Sequence, residues 1–335
     1  MAIERLPEEM LLNIFRHYLN TFPQGWPTLT HVCGGWRDIV LTSPLGLRLR
    51  LYCTHGTPVS KDLDFWPPFP LIVSYGGTPT LNPPAPEDDE NIMAALKQSH
   101  RVDSISLTVT NTLLKHLSTI SEPFPKLEEL ALQSRAEVLV TLPSAFRWSQ
   151  RLRTLNLTSF PFPALLQRLS LSTSLVDLLL HEIPRIGYFS PEAFADSLSK
   201  LAHLETLSLH FLTLPPRRTF VGFTPRPSKR VALPALTCLK YRGTSTYLDS
   251  FVARIDAPRL GDMDITFFVQ PTMDASQLGQ FFERIETLTS LDRADIHFST
   301  RAIFVCCSRP GAPSQLKLQI SWEQLDWQVF SLTQI

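Results

Sequence analysis

The chain has 335 residues, with 31 Lys or Arg against 31 Asp or Glu, so no net charge draws it to nucleic acid or an anionic membrane surface. Hydrophobic residues make up 44%, which excludes a disordered chain, and no stretch of about 18 apolar residues marks a membrane span. Cys33, Cys53, Cys238, Cys306 and Cys307 are odd in number and match no disulfide or zinc spacing, so reduced thiols in the cytoplasm or nucleus are expected.

The first predicted element is a helix opening at Leu6-Pro7, since proline suits a first helical turn. Glu8 and Glu9 follow where the helix dipole favours acids. Met10, Leu11, Ile14, Phe15, Tyr18 and Leu19 give it a wide apolar face. After a break at "NTFPQGWP", a second helix is expected through "TLTHVC" and a third through "WRDIV". Together these form a module over residues 1–50, too small to bury much surface alone. Its apolar face is either the end cap of the main body or a docking surface.

Residues 51–101 read as a connector. Eight prolines between Tyr52 and Pro86 favour a stiff, extended path. One strand is expected at "PLIVSY" around Ile72, then a helix through Ile92, Met93 and Leu96 with "PEDDE" as its solvated start.

From Val102 onward a six-residue phrase recurs, apolar at positions one, four and six. It reads "VDSISL" at Val102, "LEELAL" at Leu127, "LRTLNL" at Leu152 and "LVDLLL" at Leu175. It continues as "LETLSL" at Leu204, "LTCLKY" at Leu236, "LGDMDI" at Leu260 and "LDRADI" at Leu291. Side chains alternate along a strand, so positions four and six point into a core while three, five and seven point the other way. A strand this short buries nothing alone, so the units must stack. The segments between read as helices. "SPEAFADSLSKL" has Ser190 as N-cap, Pro191 at the first helical position and a stripe of Phe194, Leu198 and Leu201. "TYLDSFVARI" presents Tyr247, Leu248, Phe251, Val252 and Ile255; "DASQLGQFFERIETL" has Asp274 as cap and Leu278, Phe281, Phe282 and Ile285 as stripe. Alternating strands and helices imply an α/β class with a parallel sheet backed by helices, here eight parallel phrase strands over residues 102–335. "FPLIVSY" and "SQLKLQI" are expected as extra strands at the two ends, and Phe211, Phe267 and Phe298 at position eight as core.

This pattern resembles the leucine-rich repeat family, which implies a curved solenoid with a concave strand face. Position nine departs from that family, holding Thr110, Arg135, Phe160, Ile183, Leu212, Thr244, Phe268 and Ser299 instead of Asn or Cys. The turns are therefore expected to be irregular.

The opening module, Leu-Pro-x-Glu-Met-Leu-x-x-Ile-Phe and then Val-Cys-x-x-Trp-Arg-x-Ile-Val, resembles the F-box. The resemblance implies contact with a Skp-family adaptor through Leu6, Pro7, Leu11, Ile14, Phe15, Val32, Cys33 and Trp36. It departs from the F-box at Gly34-Gly35 before Trp36, and Leu47 stands where a tryptophan is frequent. A module of this kind ahead of repeats implies the substrate-recognition subunit of a Skp–cullin–F-box ubiquitin ligase. The alternative is a repeat scaffold for protein interactions outside ubiquitylation.

No P-loop, Gly-x-Ser-x-Gly, His-Glu-x-x-His or dinucleotide fingerprint is present, and neither enzyme activity nor a cofactor is expected. The expected target face carries Asp177, His181, Thr206, His210, Lys240, Arg242, Asp264, Arg293 and His297. His181 and His210 come from neighbouring units, so their side chains are expected close enough to share a ligand; a zinc site needs a third ligand, and Glu182 is expected to point away in this register. Between Phe211 and Leu233 a basic insert carries Arg217, Arg218, Arg226, Lys229 and Arg230 without an acid. It reads as a solvated loop, a target contact or a localisation signal. Expected partners are the adaptor, a cullin through it, and a protein target; neither membrane nor nucleic-acid binding is expected.

Overall fold

The computed structural model describes residues 6–57, 59, 63, 67–75, 86–135, 146, 150–160, 169, 172–214, 230–268, 276–299, 302–308 and 315–321. Three helices come first: α1 (Glu8–Thr21), α2 (Trp26–Thr30) and α3 (Gly34–Thr42). Then follow β1 (Leu51–Cys53), β2 (Leu71–Tyr75), α4 (Pro86–Leu96), β3 (Val102–Val109), α5 (Asn111–Leu117), β4 (Glu129–Ser134), β5 (Thr154–Thr158) and β6 (Asp177–Ile183). The middle comprises α6 (Pro191–Leu198), β7 (Thr206–Phe211), β8 (Val231–Ala232), β9 (Cys238–Gly243), α7 (Ser245–Val252), β10 (Ile255–Asp256) and β11 (Asp262–Phe268). Last are α8 (Ser276–Glu283), α9 (Glu286–Thr289), β12 (Arg293–Phe298), β13 (Ala302–Ser308) and β14 (Gln315–Ser321).

The fold is mixed α/β, with a large, mostly parallel sheet backed by helices. Among the described residues the strand order is β1-β2-β3-β4-β5-β6-β7-β9-β11-β14-β13-β12, and β8 pairs separately with β10. The first seven phrases each form a strand of the parallel stretch, β3 to β7, β9 and β11. Their fourth and sixth positions are buried, as in Leu155 and Leu157, Leu178 and Leu180, Leu207 and Leu209, Met263 and Ile265. Each such side chain contributes on the order of 2 kcal/mol by leaving water. The helix stripes complete the core: Phe194, Leu198 and Leu201, then Tyr247, Leu248, Phe251, Val252 and Ile255, then Leu278, Phe281 and Ile285 are all buried.

The eighth phrase departs from this plan. β12 is the last strand of the sheet and runs antiparallel to β13, which in turn is antiparallel to β14. The reversal is local: Ser299 N–H donates to the Ala302 carbonyl at 2.9 Å, and Ala302 N–H donates to Ser299 Oγ at 2.9 Å. So short a connection permits only an antiparallel return, because a parallel crossover needs a dozen or more residues. "SQLKLQI" is therefore not at the end of the sheet; as β14 it takes the parallel place beside β11. Phe211 and Phe267 are core, whereas Phe298 is 78% exposed and Ile296, at position six, is 56% exposed.

Local chemistry explains three of the helix starts. Ser190 accepts from Ala193 N–H at 3.2 Å, as its position predicts. Two position-nine residues turn out to be caps: Thr110 accepts from Leu113 N–H at 3.2 Å and Thr244 from Tyr247 N–H at 3.4 Å. Asp274 lies outside the described residues. The N–H groups of Gln277 and Leu278 at the start of α8 both donate to Asp249 Oδ1, at 2.8 and 2.9 Å, from the preceding helix α7.

The N-terminal helices share one apolar cluster with the sheet, running from Leu11 and Phe15 to Leu288. The second helix starts earlier than expected, at Trp26. That residue is the hinge of the junction: its Nε1–H donates to the Arg50 carbonyl at 2.9 Å, and its ring meets Phe69 edge-on at 5.4 Å. Arg50 in turn pairs with Asp103 at 3.1 Å, the extra residue of a bulge between β2 and β3. β1 adds a strand the sequence reading missed, and the proline-rich connector thus supplies the first two strands of the sheet. Residues 76–85 of that connector lie outside the described residues.

Candidate functional site

Two surfaces merit attention, one helical and one on the strands. On α1, residues four apart share a side of the helix. Leu11, Phe15 and Leu19 form its buried side. Phe15 packs edge-on against Trp36 of α3, with ring centroids 4.7 Å apart. The expectation that Leu11 and Phe15 meet a partner is therefore corrected: both are core residues, and neither offers surface. Cys33 and Trp36 are half-buried, and the Trp36 indole N–H meets no acceptor among the described residues. Met10 and Ile14 occupy the flank of the helix beside its buried face, at 52% and 47% exposure, with Leu6 and Pro7 exposed just before them. Val32, between α2 and α3, is 56% exposed. Met10, Ile14 and Val32 are thus among the apolar groups this end of the molecule presents to solvent, together with Leu6, Phe22, Leu41 and Leu45.

On the strands, position-seven residues fall in one register row. Thr158 pairs with His181, and His210 pairs with Arg242, which pairs with Thr266. The row continues through Gln319 and Phe304 to His297. A second row joins Ser208, Lys240, Asp264, Lys317, Cys306 and Asp295. A third holds Asp177, Thr206, Cys238 and Asp262, and reaches Arg293 through Gln315 and Ser308. Every expected target residue therefore lies on one face, but not in one place. His297 is four strands from Arg242, roughly 19 Å away at the usual strand spacing. Arg293 is engaged at the edge by Asp295, at 3.0 Å. Asp177 accepts from Thr154 Oγ1 at 3.2 Å at the other end of the strands.

The most organised part of this face lies where β6, β7 and β9 end. The His181 and His210 imidazoles stack with centroids 4.5 Å apart and planes 17° from parallel. Ser208 Oγ lies 2.8 Å from His181 Nε2 and 3.4 Å from His210 Nε2. A bulge creates this geometry. Leu180 pairs with Leu209 and Ile183 with Phe211, so His181 and Glu182 together oppose His210. Glu182 takes a left-handed backbone, φ 51°, as does Ser159 beside it, φ 62°. Without the extra residue, strict alternation would bury Glu182; with it, Ile183 turns inward and Glu182 stays exposed. Ser159 Oγ donates to Glu182 Oε2 at 2.7 Å and holds the bulge.

Burial holds both imidazoles below the usual histidine range. For His181, Glu182 opposes that shift and Lys240 adds to it. For His210, His181, Arg242 and Lys240 add to burial and bring it to about 4. Both rings are therefore neutral at neutral pH, in a field set by two fixed cations. Sequence reading found the histidines but not Ser208; its place at position five of the same phrase was the available signal.

Among the described residues no group of three or more His, Cys, Asp or Glu side chains is arranged to hold a metal ion. Nor is any helix among them long and apolar enough to cross a membrane. Of the five basic residues of the insert, Arg230 is the one among the described residues. No protein-family model matches the chain, and no match was found among the curated proteins.

Proposed function

We propose that this chain is the substrate-recognition subunit of a Skp–cullin–F-box ubiquitin ligase. In this reading the N-terminal helices are an F-box that holds a Skp-family adaptor, and the sheet is an irregular leucine-rich-repeat solenoid that holds a protein target. The chain itself performs no chemistry. It raises the effective concentration of the target beside the enzyme that transfers ubiquitin.

The observation that carries the reading is the division of α1 into two apolar sides. One side, Leu11, Phe15 and Leu19, is consumed by the shared core. The other keeps Met10 and Ile14 in solvent on a rigidly mounted helix. Exposed apolar groups cost free energy without a partner, and here they stand at positions of the F-box-like sequence. The adaptor contact is accordingly assigned to Leu6, Pro7, Met10, Ile14 and Val32, with Trp36 behind them.

The test is co-purification of a Skp-family protein and a cullin with the full chain. Met10→Asp with Ile14→Asp should abolish both while leaving the thermal melt unchanged, since neither side chain is buried. Full retention of the adaptor by that variant overturns the reading. Adaptor without cullin would favour a scaffold instead.

A further inference from the structure

We infer that the cluster of His181, Ser208, His210, Lys240 and Arg242 is a seat for an oxyanion carried on a peptide side chain, a carboxylate or a phosphoryl group. This rests on the target-binding half of the proposed function and names the chemistry of the target.

The local arrangement of charge is the first argument. Where β6, β7 and β9 end, the open face carries Lys240, Arg242 and two imidazoles. Among the described residues, the other groups in register with the rings do not cancel this. β5 contributes only Thr158 in register. Glu182, next in chain to His181, is exposed and engaged by Ser159. Asp177 stands at the far end of β6, and Asp264 is the neighbour of Lys240 on the side away from the rings. Lys240 and Arg242 both weigh against protonation of His210. The field that disfavours a proton there favours an anion.

Hydrogen-bond accounting is the second argument. One serine hydroxyl lies between two Nε2 atoms. It has one proton to give, so it donates to one ring and accepts from the other. One ring therefore carries its proton on Nε2 and the other on Nδ1. That neutral pair presents one Nδ1 donor and one Nδ1 acceptor. A single added proton, on the accepting Nδ1, turns both into donors without disturbing Ser208. An incoming anion supplies the charge that makes this protonation favourable. The seat thus takes up a proton as it takes up the anion, and the two bind each other's partner more tightly.

The structure is also built to hold the seat. Ser208 is fully buried beneath the rings. The bulge that turns His181 onto His210 holds a non-glycine residue in a left-handed backbone. Such conformations persist where the surroundings impose them.

The probe is a short fluorescein-labelled peptide, in glutamate, phosphoserine and glutamine versions, titrated into the full chain at low salt and read by anisotropy. The glutamate or the phosphoserine peptide should bind at least about tenfold tighter than the glutamine one, and the tighter of the two identifies the source of the oxyanion. Because His210 is held at about 4 in the free fold, the affinity of the glutamate peptide should rise as pH falls from about 7 towards about 5, by up to about tenfold per unit for each proton taken up. Lys240→Gln with Arg242→Gln should remove the preference for charge. His210→Gln should keep binding near pH 8 and lose the gain at lower pH; a thermal melt confirms that it folds. Equal binding of the glutamine peptide, indifference to the cation variants, no binding at all, or tighter binding of an oligonucleotide of equal charge overturns the inference. Adaptor capture does not enter this measurement. Failure here leaves the assignment of α1 standing, and loss of adaptor capture leaves a positive peptide result intact.

Discussion

The interior strands and the last strand of the sheet carry the same phrase in different surroundings. In β5, Leu155 and Leu157 point into a core closed by neighbours on both sides. In β12, the equivalent Ala294 and Ile296 are exposed, and among the described residues β12 is paired on one side only. The six letters therefore encode an alternating strand and nothing more. β12 even runs the same way as β5, since two reversals through β13 cancel; the neighbours of a strand come from the connections around it, and burial from what stacks upon it.

The largest expected contrast is between equivalent positions. Leu155→Ala should cost roughly 2–5 kcal/mol, as buried leucines do. Ile296→Ala should stay within about 0.5 kcal/mol, as exposed positions do. Chemical denaturation of both variants checks this, and equal losses would mean that the edge is as well covered as the interior.

The interior histidines give a pH test of the same contrast. The His210 pKa is lowered in the fold to about 4. The unfolded chain therefore binds more protons between that value and the ordinary histidine value near 6.5. The resulting stabilisation is complete above the ordinary value and is lost as pH falls towards about 4. Melts of the parent chain should fall more steeply through that window than melts of His210→Gln.

Asp249→Ala should cost about 1 kcal/mol, the worth of a lost cap. Its effect should appear in the amide exchange of α8 rather than in that of its own helix. The smallest effect is expected from Thr154→Ala, on the open face of β5, within about 0.5 kcal/mol despite its bond to Asp177.

Much of the architecture was legible because stacking depends on simple periodicity. The positions of Leu178, Leu207 and Met263 announce their burial, and Ser190-Pro191 announces a helix start. What escaped depends on contacts between segments. The apolar width of α1 told that its face would be used, not which side the core would claim. Asp249 caps a helix through Gln277, 28 residues further on, a distance at which local sequence carries no capping signal. The bulge at Glu182 was foreshadowed only by an acid standing where alternation demands an apolar group. The histidine pair was legible as neighbours in register; its stacking was not, because the bulge sets it.

The position of β12 at the end of the sheet has a consequence for the molecule in crowded solution. An unpaired strand edge is a template on which another chain can add, and a flat apolar edge invites fibrous growth. Here the edge strand carries Arg293 and Asp295 locked to each other, with His297 beside them. An added strand would have to lie against this pair and strip its water. The charge opposes addition over that face, while Ile296 and Phe298 leave the other face of the same strand apolar and exposed.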